Sequence, residues 1–143
     1  MNEIQIALEN LCRRHGITSL YVFGSRAGEI AARARGEDAT STNPDSDGDF
    51  AAQFGEGRRA RGLALGGVIS DLEDIFDLPR ADLLVLNEAD PFMALEAVRG
   101  ELIYCLDLDV QAEEELRILR VAGDLAPFQK QRLEQILDGE LRR

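Results

Sequence analysis

Cysteine is scarce: Cys12 and Cys105 are the two in 143 residues, far apart in the chain. That excludes a disulfide framework and a cysteine-built metal site, and both thiols are expected to act as small core residues. Histidine occurs once, at His15. With no serine or cysteine nucleophile constellation beside it, a histidine-based covalent mechanism is set aside. Its place after Arg14, at the end of a first helix, suits the negative end of the helix dipole instead. Long apolar runs are missing too, none approaching the roughly 20 residues that span a bilayer. The start, Met1-Asn2-Glu3-Ile4-Gln5, lacks the basic and apolar regions of a secretory leader. A cytoplasmic protein is expected. Basic residues are in deficit, 16 against 27 acidic, for a formal net charge of −11. Such a surface argues against a nucleic-acid backbone binder, which needs concentrated positive charge to displace counterions. It suits solubility and a basic protein partner.

What remains is the composition of a soluble globular domain, 45% hydrophobic and 30% charged, long enough for one core. One domain over residues 1–143 is expected. Ile4, Ala7, Leu8, Leu11 and Cys12 recur every three or four positions and predict a helix from Asn2 to His15, with Gly16 as its left-handed cap. Leu20-Tyr21-Val22-Phe23 predicts a short apolar strand. After Gly24-Ser25, a helix is expected from Arg26 to Arg35, then a polar loop from Gly36 to Pro44.

From Asp47 the period changes to two. Asp47, Asp49, Ala51 and Gln53 share one face of a strand, and Gly48, Phe50, Ala52 and Phe54 the other. Gly55-Glu56-Gly57 ends it. A helix from about Ala60 to Phe76 follows, its core face carrying Leu63, Leu65, Val68, Ile69, Leu72, Ile75 and Phe76. A third strand is expected over Ala81 to Leu86, a short helix over Pro91 to Gly100 and a fourth strand over Leu102 to Leu106. Two closing helices are expected, Val110 to Arg120 and Pro127 to Leu141. The sum is an α/β (α+β) domain with a small mixed sheet flanked by helices.

Two short stretches carry the chemistry. Asp47 and Asp49, at i and i+2 on a strand, project to the same side. Carboxylates that close repel each other, and one is driven to protonate unless a cation sits between them. Hard oxygen ligands of this kind select Mg²⁺ or Mn²⁺ over zinc. Asp82, at the start of the next strand in "RADLLVL", is a third carboxylate, enough to hold two cations against a triphosphate. Gly24-Ser25, at the passage from strand to helix, presents backbone N–H groups and a positive helix end suited to phosphate. Arg26 follows and could pair with a phosphate oxygen.

The joint pattern, strand–GS–helix–loop–DxD–strand–helix–D–strand, resembles the minimal nucleotidyltransferase family of the polymerase-β-like superfamily. More narrowly it is similar to the antitoxin type encoded beside HEPN-domain toxins. "FGSRA", "RGE" and "DSDGDF" resemble the family's GSRARGE…SDIDL stretch, "ADLLVL" its third-aspartate strand, and "ALEAVRGELIYCLD" the segment leading into its last strand. The likeness covers roughly residues 1–107, leaving about 108–143 for the C-terminal helices. It implies a polymerase-β-like nucleotidyltransferase fold. It further implies that Asp47 and Asp49 bind two Mg²⁺ ions, and that Asp82 holds the catalytic ion and helps deprotonate the acceptor. Gly24 and Ser25 would hold the phosphates of ATP. The implied reaction moves AMP from ATP to a tyrosine hydroxyl of a cognate HEPN RNase toxin, silencing it.

This chain departs from the family pattern in two places. The interval between Ser25 and Asp47 holds 21 residues, 26 to 46, because "GEIAARA" lies inside what would otherwise read GSRARGE. Arg33 within it and Arg35 just after it are expected on a solvated helix face, with contact to a partner or nucleotide as the alternative. Gly48 replaces the usual aliphatic residue between the aspartates and is expected to loosen the strand. Tyr21 and Tyr104 lie within strands and are expected to be core or half-buried, which disfavours either as an acceptor of AMP in self-modification. Glu113-Glu114-Glu115 is expected as the exposed first turn of a helix, with docking of a basic toxin as the alternative. Two further functions remain open: an antitoxin that acts by occlusion with a vestigial site, and a small-molecule nucleotidyltransferase of the aminoglycoside-modifying kind. The second normally needs more substrate-binding structure than the C-terminal segment offers.

Overall fold

The computed structural model describes residues 2–40, 43–55 and 62–141. In chain order its elements are α1 (Glu3–His15), β1 (Ile17–Phe23), α2 (Ala27–Ala34), β2 (Gly48–Phe54), α3 (Gly62–Phe76), β3 (Ala81–Val85), α4 (Pro91–Val98), β4 (Glu101–Cys105) and α5 (Leu108–Leu141). The strands form one sheet in the order β3-β2-β1-β4. β1 runs antiparallel to both β2 and β4, whereas β2 and β3 are parallel, joined through α3. The mixed sheet expected from the sequence is the one found.

Helices cover both faces of the sheet. On one face α1, α2 and α3 bring Leu8, Leu11, Cys12, Ile30, Leu72 and Phe76 against Leu20, Val22, Phe50 and Ala52. On the other, Ala94, Ala97 and Val98 of α4 and Ile118 of α5 pack on Tyr21 and Ala51. Period two therefore sorts β2 as expected, Phe50, Ala52 and Phe54 going to the first core and Ala51 to the second.

Some boundaries move. β1 begins at Ile17, because Gly16 caps α1 in the left-handed region (φ 71°) and turns the chain straight into the sheet. The expected start of α3 at Ala60 and the side chain of Leu63 lie outside the described residues. The two closing helices are one, α5, with Pro127 inside it. A proline removes a single N–H, whose acceptor would be the carbonyl of Gly123. Residues 123–128 are all exposed, so water can satisfy that carbonyl. Among the described residues no helix is long and apolar enough to cross a membrane.

Candidate active site

β1 delivers the chain to Gly24, whose φ of +80° is open to glycine and strained for other residues. The Gly24 carbonyl accepts from the Ala27 N–H at 3.2 Å, closing a turn from which α2 starts. No side chain caps that helix start, and Gly24 and Ser25 are exposed beside it. Free N–H groups at a helix N-terminus are the elements of an anion cradle. A Cβ placed on Gly24 would lie 2.5 Å from Asp49 Oδ2. The glycine turn and the second aspartate are thus in contact, which the sequence pattern alone could not show.

The carboxylates come from two neighbouring segments, Asp47 and Asp49 around the start of β2 and Asp82 at the start of β3. Asp49 pairs across the sheet with Phe23, the residue before the turn, and with Asp82 in the parallel ladder to β3. Asp47 immediately precedes β2. The Asp49 carboxyl is raised above the usual carboxylate range, first by burial, then by the charges of Asp82, Asp47 and Glu96. Glu96, exposed on α4, has no signal in the sequence; only the packing of α4 over β1 and β2 relates it to Asp49. Asp82 is more than half exposed, with Arg80 Nε 3.9 Å away. Its strand entry is fixed by Glu73 of α3, whose carboxylate accepts from the Ala81 N–H at 3.1 Å, while the Gly48 N–H donates to the Arg80 carbonyl at 3.0 Å.

Gly48 lies in the ladder opposite Ala81, in a crowded place. A Cβ there would meet Leu78 Cδ1 at 2.7 Å and Phe50 Cε2 at 3.0 Å. The space an aliphatic side chain would take is occupied by Leu78 and Phe50, which would have to shift to admit one. Arg26 does not face a phosphate. Only 5% exposed, it donates through Nε and Nη2 to Glu29 (3.2 and 2.9 Å) and through Nη1 to the carbonyls of Ser46 (2.9 Å) and Pro44 (3.4 Å). Arg33 leaves the solvated face expected for it, donating to the Phe76 carbonyl at 2.7 Å with its guanidinium over the Phe76 ring. Arg35 is exposed beside Glu37, as a surface residue. His15 sits at the end of α1, 3.7 Å from Asp71.

Tyr21 is buried on the α4–α5 face. Gln111 Nε2 donates to its oxygen at 2.6 Å and to Glu115 Oε2 at 2.6 Å, while the phenol donates to Glu115 at 3.2 Å. Burial, the dominant cause, pushes the phenol up to about 12. Glu113 to Glu115 are not a first turn: α5 begins at Leu108, capped by Asp107, which accepts from the N–H groups of Asp109 and Val110. Glu115 in particular anchors α5 to the sheet.

Among the described residues no group of three or more His, Cys, Asp or Glu side chains is drawn together as a metal cage. The donor set nonetheless fits a hard divalent cation, for it is built of carboxylate oxygens, and the charges of Asp82 and Asp47 add to burial in raising the Asp49 carboxyl. Asp49 and Asp82 are paired where β2 and β3 begin, with Asp47 just before β2 and the glycine turn against Asp49.

By sequence, no family model and no curated protein matches. By structure, the chain shares its fold with a chain of the MntA–HepT toxin–antitoxin complex carrying two aspartate-to-glutamate replacements, at TM-score 0.71 and 14% identity over 96% of this chain and 99% of that one. A toxin–antitoxin structure with AMP-PNP matches at TM-score 0.67 and 14% identity, over 93% and 98%. A complex of a tri-AMPylated Shewanella oneidensis HEPN toxin with its MNT antitoxin matches at 0.67 and 13%, over 94% and 96%.

Proposed function

We propose that this chain is a nucleotidyltransferase antitoxin that moves AMP from ATP to a tyrosine hydroxyl of a HEPN-type toxin. One observation carries the reading: the glycine turn at the start of α2 abuts Asp49, and Asp49 stands beside Asp82 in the ladder. An anion cradle and a carboxylate cluster thereby share one corner, as a metal-bound triphosphate requires. The fold shared with toxin–antitoxin chains, one with AMP-PNP and one with an AMPylated toxin, supports the same reading.

In this reading Asp47 and Asp49 would hold two Mg²⁺ ions and Asp82 would share the catalytic one; Mg²⁺ would neutralise the triphosphate and the charge that develops during transfer. The N–H groups after Gly24 and the Ser25 hydroxyl orient the phosphates. A carboxylate oxygen of Asp82 receives the proton of the attacking tyrosine. The new bond joins that tyrosine oxygen to the α-phosphorus, and the bond to pyrophosphate breaks. Positioning and electrostatics supply most of the rate for such a transfer. Arg26 has no part in phosphate binding here, since its donors are engaged with Glu29 and the loop before Asp47.

The test is the intact mass of the toxin co-expressed with the wild-type chain or with an Asp47→Asn/Asp49→Asn variant. Added AMP with wild type alone is the expected result. An unmodified toxin that still co-purifies and is silenced would mean neutralisation by occlusion instead.

A further inference from the structure

The segment 28–34 that lengthens α2 places two charged side chains, Glu29 and Arg33, on the same face one helical turn apart. Each reaches a different part of the site's frame. Glu29 accepts both arms of the Arg26 guanidinium, a forked pair that is 5% exposed on the arginine and 14% on the glutamate. The remaining arm of Arg26 grips the carbonyls of Pro44 and Ser46, the latter one peptide bond from Asp47. Arg33 lies 3.8 Å from the same Glu29 oxygen and donates to the carbonyl of Phe76, where α3 ends. Two residues on, Leu78 fills the space over Gly48, and the Arg80 carbonyl accepts the Gly48 N–H. A single ionic relay thus joins the loop that delivers Asp47 to the helix end that delivers Asp82.

We propose that Arg26, Glu29 and Arg33 form a positioning relay that fixes the approach of Asp47 and Asp82, so that the added residues of α2 preorganise the cation site. This rests on the reading of Asp47, Asp49 and Asp82 as cation ligands. None of the three relay residues touches substrate; each acts through the backbone it holds. Burying an arginine is costly unless it is paired and its donors are satisfied. Here Glu29 supplies the pair, but the Nη1 donors are satisfied only when the Pro44 and Ser46 carbonyls lie in place, which makes the loop's position a condition of burying Arg26 fully. Supporting groups of this kind commonly alter metal affinity by about 10-fold to 100-fold when removed.

Glu29→Gln, Arg26→Lys and Arg33→Gln test the relay in the full chain with two readouts. The first is amide hydrogen exchange of residues 44–48 compared with α1 and α3. The second is Mn²⁺ binding by calorimetry. In Glu29→Gln and Arg26→Lys, exchange over 44–48 is expected to quicken about tenfold or more while α1 and α3 hold, and Mn²⁺ affinity to fall by about 10-fold or more. Arg33→Gln, which leaves the buried pair intact, should do the same to a lesser degree, and it decides the matter if Glu29→Gln does not fold. Folded variants with unchanged exchange at 44–48 and unchanged Mn²⁺ affinity would overturn the relay. A wild-type chain that neither binds Mn²⁺ nor transfers AMP overturns the catalytic reading, and the exchange data then decide whether the relay holds the loop on its own.

Discussion

The two faces of the sheet are built on different terms. The α1–α3 face is a continuous apolar core with Leu20, Leu72 and Phe76 fully buried, and Phe50 stacks on Phe76 with ring centroids 5.8 Å apart. The α4–α5 face has small residues, Ala51, Ala94 and Ala97, around a polar cluster of Tyr21, Gln111 and Glu115. Asp49 shares the strand face of Ala51 and so belongs to this second side. One face supplies most of the burial that stabilises the fold, while the other carries the charges to which the proposed function assigns the chemistry. In such a division stability and activity should respond to different substitutions.

The sharpest separation is expected from Asp49→Asn. AMP transfer should fall by at least about 10³-fold, equivalent to about 4 kcal/mol in the barrier. Thermal stability should hold or rise, because a repelled and partly buried charge is removed; paired activity and melting measurements read both. Leu72→Ala is the mirror case, with a loss of about 2–5 kcal/mol in stability, while activity per folded molecule stays near wild type. Denaturant titration at constant slope checks it. A Leu72→Ala chain that is stable yet inactive would break the comparison.

Tyr21→Phe lies between them. It removes a hydroxyl that both Gln111 and Glu115 use, at a cost of about 1–2 kcal/mol. The wild-type phenol keeps its proton in the folded state up to about 12, against 10.0 when unfolded. The folded form therefore holds the extra proton in this window, and stability should decline as pH rises from 10 to 12. Tyr21→Phe should flatten that part of the decline in melts taken across the range. The smallest effect on stability, within about 0.5 kcal/mol, is expected for Leu116→Glu on the outer side of α5. Leu116 is 58% exposed, and Leu106, Leu108, Leu119 and Phe128 are exposed as well. If α5 docks the toxin, co-purification should weaken while self-stability does not.

Much of the fold is legible in the sequence because local period and turn chemistry agree with the tertiary result. Period two divides β2 between the two cores, and the αL glycine after His15 stops α1 where expected. The aspartates and the glycine turn can be named from spacing, but not their contact, which arises from the pairing of Phe23 with Asp49. Residues whose role depends on a distant carbonyl are the ones that spacing misplaces. Arg33 reads as a surface charge, yet it lies over Phe76, and Arg26 reads as a phosphate ligand, yet the loop at 44–46 claims it. Pro127 reads as a helix boundary because propensity describes an isolated helix. A helix already anchored by Tyr21 and Ile118 can continue past one missing hydrogen bond.

The closeness of Gly24 to Asp49 also limits how this chain can drift. While a carboxylate stands at position 49, a side chain at position 24 must adopt a strained φ and also push that carboxylate aside, so that position carries two penalties. If the aspartate were lost the second bar would lift, and residues that tolerate a left-handed backbone, such as asparagine, could enter. Loss of the acid in a descendant would then leave a mark at two places, position 49 itself and a relaxed turn at 24. A glycine kept at 24 beside an altered 49 would instead report that φ alone still holds it.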